Sequence, residues 1–199
     1  MSGFLNAAFT SRFVKFGEGS RIREGGNIYW PEKISIGDNV AIEEGYWFNI
    51  VPLNDSDGPK IIIGDGCVCG MGLSLSAVNR VELGNNARIG SNVNLSDTDH
   101  RYDDVGIPVL AQGVALTDGA LVIGEGATIG ANSVIAGNRR VGKGSVVLPG
   151  SVVVADIPDG CVAAGNPAVI VQVYVPETGE WVEARSAIEA EQAIRKRGR

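Results

Sequence analysis

The chain is poor in the residues that most catalytic and metal chemistry uses. It has one histidine, His100, in 199 residues. Zinc held by three imidazoles, as in a carbonic anhydrase built on short repeated strands, is therefore excluded, and no metal site is expected. Its three cysteines, Cys67, Cys69 and Cys161, are too few and too unevenly spaced for a zinc cluster or a disulfide framework. They read as small buried thiols in a reducing compartment. Basic residues do not dominate: a formal net charge of −6 argues against non-specific nucleic-acid binding. No apolar run approaches the roughly 20 residues needed to span a bilayer, so no transmembrane segment is expected. The opening "MSGFLNAAFTSRFVKFGEG" has neither a sustained apolar stretch nor a convincing cleavage site, which leads to the expectation of a soluble cytoplasmic protein.

Glycine is the residue in excess, at 28 positions, and its placement is periodic. In "IGEGAT IGANSV IAGNRR VGKGSV VLPGSV VVADIP" the first place of each six holds Ile123, Ile129, Ile135, Val141, Val147 and Val153. Chance would produce such an unbroken aliphatic run on the order of one time in several thousand. The fifth place is small at Ala127, Ser133, Ser145 and Ser151, with Arg139 the exception. The same grammar runs from Ile36 to Trp47, from Ile63 to Ser74 and from Leu83 to His100, with two-residue slips at Ile34/Ile36 and Val81/Leu83.

A period of six matches neither a helix nor a long strand. It fits short strands joined by tight corners, three to a turn, stacked into a parallel β-helix whose aliphatic slot points into a triangular shaft. The handedness does not follow from the period.

Around His100 the repeat breaks. "LSDTDHRYDD" surrounds it with Asp97, Asp99, Asp103 and Asp104, and "RYDDVGIPVLAQGVALTDGA" then departs from the hexad. As the sixth residue of its block, His100 is expected to face outward. A neutral imidazole suits removal of a proton from a weakly acidic acceptor as it attacks.

The Asp-x-Asp-His ending a coil, the excursion containing "PVLAQG" and the closing "AAGNPA" resemble the hexapeptide-repeat acyltransferases, in particular their sugar O-acetyltransferase branch. The resemblance covers about 22–171. It implies a mainly β fold, a left-handed parallel β-helix over 22–170 with an extruded loop at about 101–119. An N-terminal segment, 1–21, precedes it, and a C-terminal hairpin plus helix, 171–199, follows it. It further implies acetyl-CoA as donor, a small-molecule or glycan acceptor, a homotrimer with clefts between subunits, and no metal. His100 would be the general base for a sugar hydroxyl, with Asp97, Asp99 or Asp103 orienting its ring. The backbone amide of Ala131 would hold the developing oxyanion. Pro149, Val154, Ala155 and Asn166 fall on the positions of the coenzyme wall.

The chain departs from the family there. A lysine or arginine expected at Ala155 is missing, as are basic residues at Val169 and Gln172, so Arg139 and Lys143 are the candidates to replace them as phosphate partners. Two alternatives stay open: an N-acetyltransferase acting on an amino sugar, and a non-catalytic trimeric scaffold. Tyr46 and Trp47 lie off the inward phase. For Trp47 a subunit contact or loop plug is the first reading and stacking on a sugar the second. "VPLNDSDGP" reads as a polar loop.

Overall fold

In the computed structural model the residues described are 3–51, 53, 58–115, 119–184 and 186–196. Short parallel strands stack into three faces of a prism. The first face holds Lys15–Phe16, Ile34–Ile36, Ile61–Ile63, Val81–Leu83, Leu121–Ile123 and Arg140–Val141. The second holds Arg21–Ile22, Ala41–Ile42, Val68–Cys69, Arg88–Ile89, Thr128–Ile129 and Val146–Val147, and Cys161–Gly165 ends its parallel run. The third holds Asn27–Ile28, Trp47–Ile50, Ser74–Ala77, Asn94–Ser96, Val134–Ala136 and Val152–Val153.

The hexad explains the shaft. Ile123, Ile129 and Ile135 each enter it from a different face of one coil, and Val141, Val147 and Val153 repeat the arrangement one coil on. All six are buried, as is Cys69, which replaces an aliphatic residue in the same slot. The phase slips have a structural cause. At Ile34/Ile36, Ile61/Ile63, Val81/Leu83 and Leu121/Ile123 the first-face strand is three residues long and turns both of its ends inward. The small slot lies at a buried corner, where Ser133, Ser145 and Ser151 each hydrogen-bond a backbone carbonyl.

Tyr46, off the aliphatic phase, fills the small slot of its own block and is buried. The coil beneath makes room with Gly26, where a Cβ would lie 2.5 Å from the tyrosine ring. Burial, and next the charge of Glu24, raises the Tyr46 phenol above its usual pKa.

Both expected boundaries move. The prism begins at Lys15 rather than Ile22, because Lys15–Phe16 pairs with Ser35–Ile36. The 170/171 boundary falls inside a strand, Ala168–Val175, which pairs antiparallel with Cys161–Gly165 and so continues the second face. Glu180–Glu183 completes the expected hairpin around "PETG", and the helix Ala187–Lys196 packs back on Ala168–Val175. The remainder of the basic tail, 197–199, lies outside the described residues. Among the described residues no helix is long and apolar enough to cross a membrane.

Candidate active site

The excursion leaves the prism after Asn94–Ser96 and returns at Leu121–Ile123, with one helical turn, Val109–Gln112, inside it. Its base is zipped. His100 bridges Val114 antiparallel, Arg101 N–H donates to Gly113 O at 3.0 Å, and Ala115 N–H donates to Asp99 O at 2.8 Å. The loop is tied across by Gln112, whose Nε2 donates to the carbonyls of Asp104 and Ile107. Part of the expected loop, 116–118, lies outside the described residues, as does most of the "VPLNDSDGP" stretch.

His100 is exposed and borders a concavity of about 580 Å³ on the third face. That volume is in the range of small-molecule sites. Trp47, Asn49, Ser76, Asn94, Ser96 and Asp99 also line it. Among the described residues the imidazole makes no hydrogen bond, so both ring nitrogens are available to a ligand.

The four aspartates separate into distinct roles. Asp97 is wholly buried and is not among the residues lining the concavity. Its Oδ1 accepts Val78 N–H at 2.9 Å, and its Oδ2 accepts Asn79 N–H and Arg80 N–H at 2.7 Å each. The structure therefore gives it a scaffold task rather than contact with His100. Asp99 lies in the concavity, and its Oδ1 accepts the backbone N–H of His100 at 2.7 Å. Asp103 is held by Arg101 through two bonds, of 3.2 and 2.8 Å, and that guanidinium lowers its carboxyl pKa. Asp104 accepts Gly106 N–H and shapes the loop.

The donor-side candidates fall on different edges of the prism. Ala131 and Pro149 lie one above the other where the second face turns into the third, for Gly150 N–H donates to Ala131 O at 2.8 Å. Asn166 leaves the second face at the same edge, where Gly165 N–H reaches Ser151 Oγ at 3.2 Å. Along the edge between the first and second faces, corner amides are capped by side chains from the next coil: Asp38 N–H by Asp65, Asp65 N–H by Asn85, and Lys143 N–H by Asp159. Above Ala131 stands Pro149, which offers no such acceptor. Among the described residues the Ala131 N–H is unbonded.

Arg139 and Lys143 do not join that edge. Arg139 sits where the third face turns into the first and spends its guanidinium on the carbonyls of Val154, at 2.9 Å, and Asn138, at 3.0 Å. Val154 and Ala155 lie at that same corner, exposed. Lys143 sits between the first and second faces and pairs with Glu125 at 2.8 Å, which raises its pKa. Three residues separate them in sequence and a whole face separates them in space. His100 and Ala131 are also apart within one chain, because third-face strands run from the Ala131 edge to the His100 edge. At about 3.3 Å per strand residue, that is on the order of 15 Å.

Sequence reasoning missed the outward Asn and Ser residues of the third face as lining residues. The alternation around the inward Phe48, Leu75 and Leu95 would have placed them outward, but nothing in it marks a hollow.

Comparison with known proteins bears on the fold. Residues 121–155 match the bacterial transferase hexapeptide (six repeats) family. The galactoside O-acetyltransferase of Lactococcus lactis is 29% identical over 135 residues, and the chain spans 60% of its length. AntD, an N-acyltransferase from Bacillus cereus solved with dTDP and 3-hydroxybutyryl-CoA, superposes with a TM-score of 0.73 at 22% identity, covering 98% of each chain. A variant of the GDP-perosamine N-acetyl transferase of Caulobacter crescentus, solved with CoA and GDP-perosamine, gives 0.57 at 22% identity, covering 78% of this chain and 57% of that one.

The expected O-acetylation of a sugar hydroxyl is thereby corrected. AntD, matched over 98% of each chain, is an N-acyltransferase and the Caulobacter relative an N-acetyl transferase, whereas the O-acetyltransferase likeness is partial on both chains. The left-handed parallel β-helix, by contrast, holds. By its repeat over 121–155 and its architecture, the chain carries the hexapeptide-repeat β-helix fold.

Proposed function

We propose that this chain is a CoA-dependent N-acyltransferase whose acceptor is an amino sugar carried on a nucleotide. The observation that carries the reading is the third-face concavity, in which the sole histidine stands with both ring nitrogens available beside the Asp99 carboxylate. The ligands named for the structural relatives, dTDP-4-amino-4,6-dideoxyglucose for AntD and GDP-perosamine for the Caulobacter enzyme, supply the acceptor class.

Chemically, the acceptor amine attacks the thioester carbonyl. A C–N bond forms, the C–S bond breaks, and the thiolate departs with its electron pair. His100 as general base takes the proton the nitrogen sheds. The free Ala131 N–H is the donor that meets the carbonyl oxygen as it gains negative charge. The uncapped edge of Ala131, Pro149 and Asn166 suits the acyl-bearing arm of CoA, whose carbonyls are acceptors. Phosphate contacts are not assigned to Arg139 or Lys143, which are engaged elsewhere.

Because the base and the oxyanion donor lie at opposite edges of one face, a complete site needs the His100 edge of one protomer against the Ala131 edge of another. Repeated around a three-fold axis this makes a homotrimer with three sites.

The test is acyl transfer by the purified protein from acetyl-CoA and 3-hydroxybutyryl-CoA to dTDP-4-amino-4,6-dideoxyglucose and GDP-perosamine, followed by CoA thiol release and product mass. Amide formation is expected, with turnover falling at least about a hundredfold in His100→Ala. Acylation confined to sugars without an amine, or near-normal turnover of the variant, would overturn the reading.

A further inference from the structure

The third-face concavity has a floor as well as a catalytic end. Trp47, Ser74 and Asn94 form one outward row in register, and Asn49, Ser76 and Ser96 form the next. Trp47 lies two coils below the His100 corner, about 10 Å along the prism at ordinary strand spacing. Between the indole and the imidazole the lining is of small side chains, Asn49, Ser76, Asn94 and Ser96 among them, with Val51 and Val114 at its margins, and their small size creates the hollow. Trp47 remains 41% exposed although Tyr29 packs edge-on against it, with ring centroids 6.5 Å apart. It therefore lines the concavity of the single chain.

The charge of the lining is equally specific. Among the described residues its lining holds one carboxylate, that of Asp99, and no lysine or arginine. Such a surface disfavours a phosphate and accepts a neutral or amine-bearing ring. A hexose ring has one face of C–H groups that an indole covers well, and equatorial hydroxyls that Asn and Ser side chains satisfy.

Resting on the amino-sugar reading above, we propose that this concavity is the acceptor-ring subsite. Trp47 stacks on the C–H face of the hexose, Asn94, Asn49 and Ser76 meet its hydroxyls, and the amine points to His100. The nucleotide's phosphates stay outside.

The experiment is a tryptophan-fluorescence titration with dTDP-4-amino-4,6-dideoxyglucose in the absence of acyl-CoA, alongside steady-state kinetics. The wild type should show a saturable change that dTDP alone does not produce. Trp47→Phe should lose the signal yet keep calorimetric affinity within about threefold. Trp47→Ala, and independently Ser76→Leu, which fills the hollow, should weaken binding at least tenfold. Both should raise the acceptor KM in proportion and leave the acyl-CoA KM unchanged. Unaltered acceptor affinity in both variants, an equal response to dTDP, or loss of assembly in folded Trp47→Ala would overturn the subsite. Wild type that binds the sugar through Trp47 but acylates no amine would refute the proposed reaction and leave the subsite standing.

Discussion

Asp97 Oδ1 accepts the backbone N–H of Val78 at 2.9 Å across 19 residues of sequence. Its other oxygen takes the next two amides, so one carboxylate closes the whole corner between the third and first faces. The Lys60 ammonium, also buried, donates to Val78 O at 3.0 Å from the opposite side. The chain leaves the prism for the His100 loop directly above this corner, so the corner positions the loop's root.

Removing the carboxylate would leave three backbone donors, that of Val78 fully buried, without their acceptor. Asp97→Ala is expected to lower unfolding stability by about 2–4 kcal/mol. Chemical denaturation measures it, and a midpoint unchanged from wild type would contradict the assignment.

The uncapped Ala131 amide predicts a gain of structure with a loss of activity. Pro149→Asp places a carboxylate one coil above Ala131, as Asp65 stands above Asp38 and Asp159 above Lys143. If the acyl carbonyl uses this N–H, turnover should fall about tenfold or more while the thermal midpoint holds or rises. Full activity in a variant whose crystal structure shows the new cap would remove Ala131 from the chemistry.

Lys143 carries the opposite expectation. Its ammonium faces Glu125 on an edge away from Ala131, so Lys143→Ala should change the acyl-CoA KM by less than about twofold. A tenfold increase would restore it as a phosphate partner.

Burial pushes the Cys67 and Cys69 thiols above their usual pKa, and Cys161 is equally buried. A raised pKa keeps a thiol protonated at pH 8, and the thiolate is the reactive form. Ellman's reagent at pH 8 should therefore find no thiol in the native chain and three after denaturation. Rapid native labelling would show that the shaft opens.

Particular residues show where reading the chain succeeds and where it stops. Ile123 through Val153 announce their inward positions because a strict spacing of six leaves each side chain one place to go. The burial of Tyr46 was not legible, because the room its ring needs in a small slot comes from Gly26, twenty residues earlier. His100 was visible as the single imidazole at the break in the repeat. That Asp97, three residues before it, serves the corner while Asp99 shares its concavity was not visible, since alternation alone leaves both as candidates.

The sequence by itself determined the prism, its inward residues, the position of the excursion and the histidine at its root, because a period of six forces one packing of side chains into the shaft. Only the tertiary structure decided which polar groups share an edge. Corners that meet in space lie about one coil apart in sequence, and each coil differs in length, so no local spacing reveals that Arg139 caps Val154, that Lys143 pairs with Glu125, or that Trp47 faces the same hollow as His100.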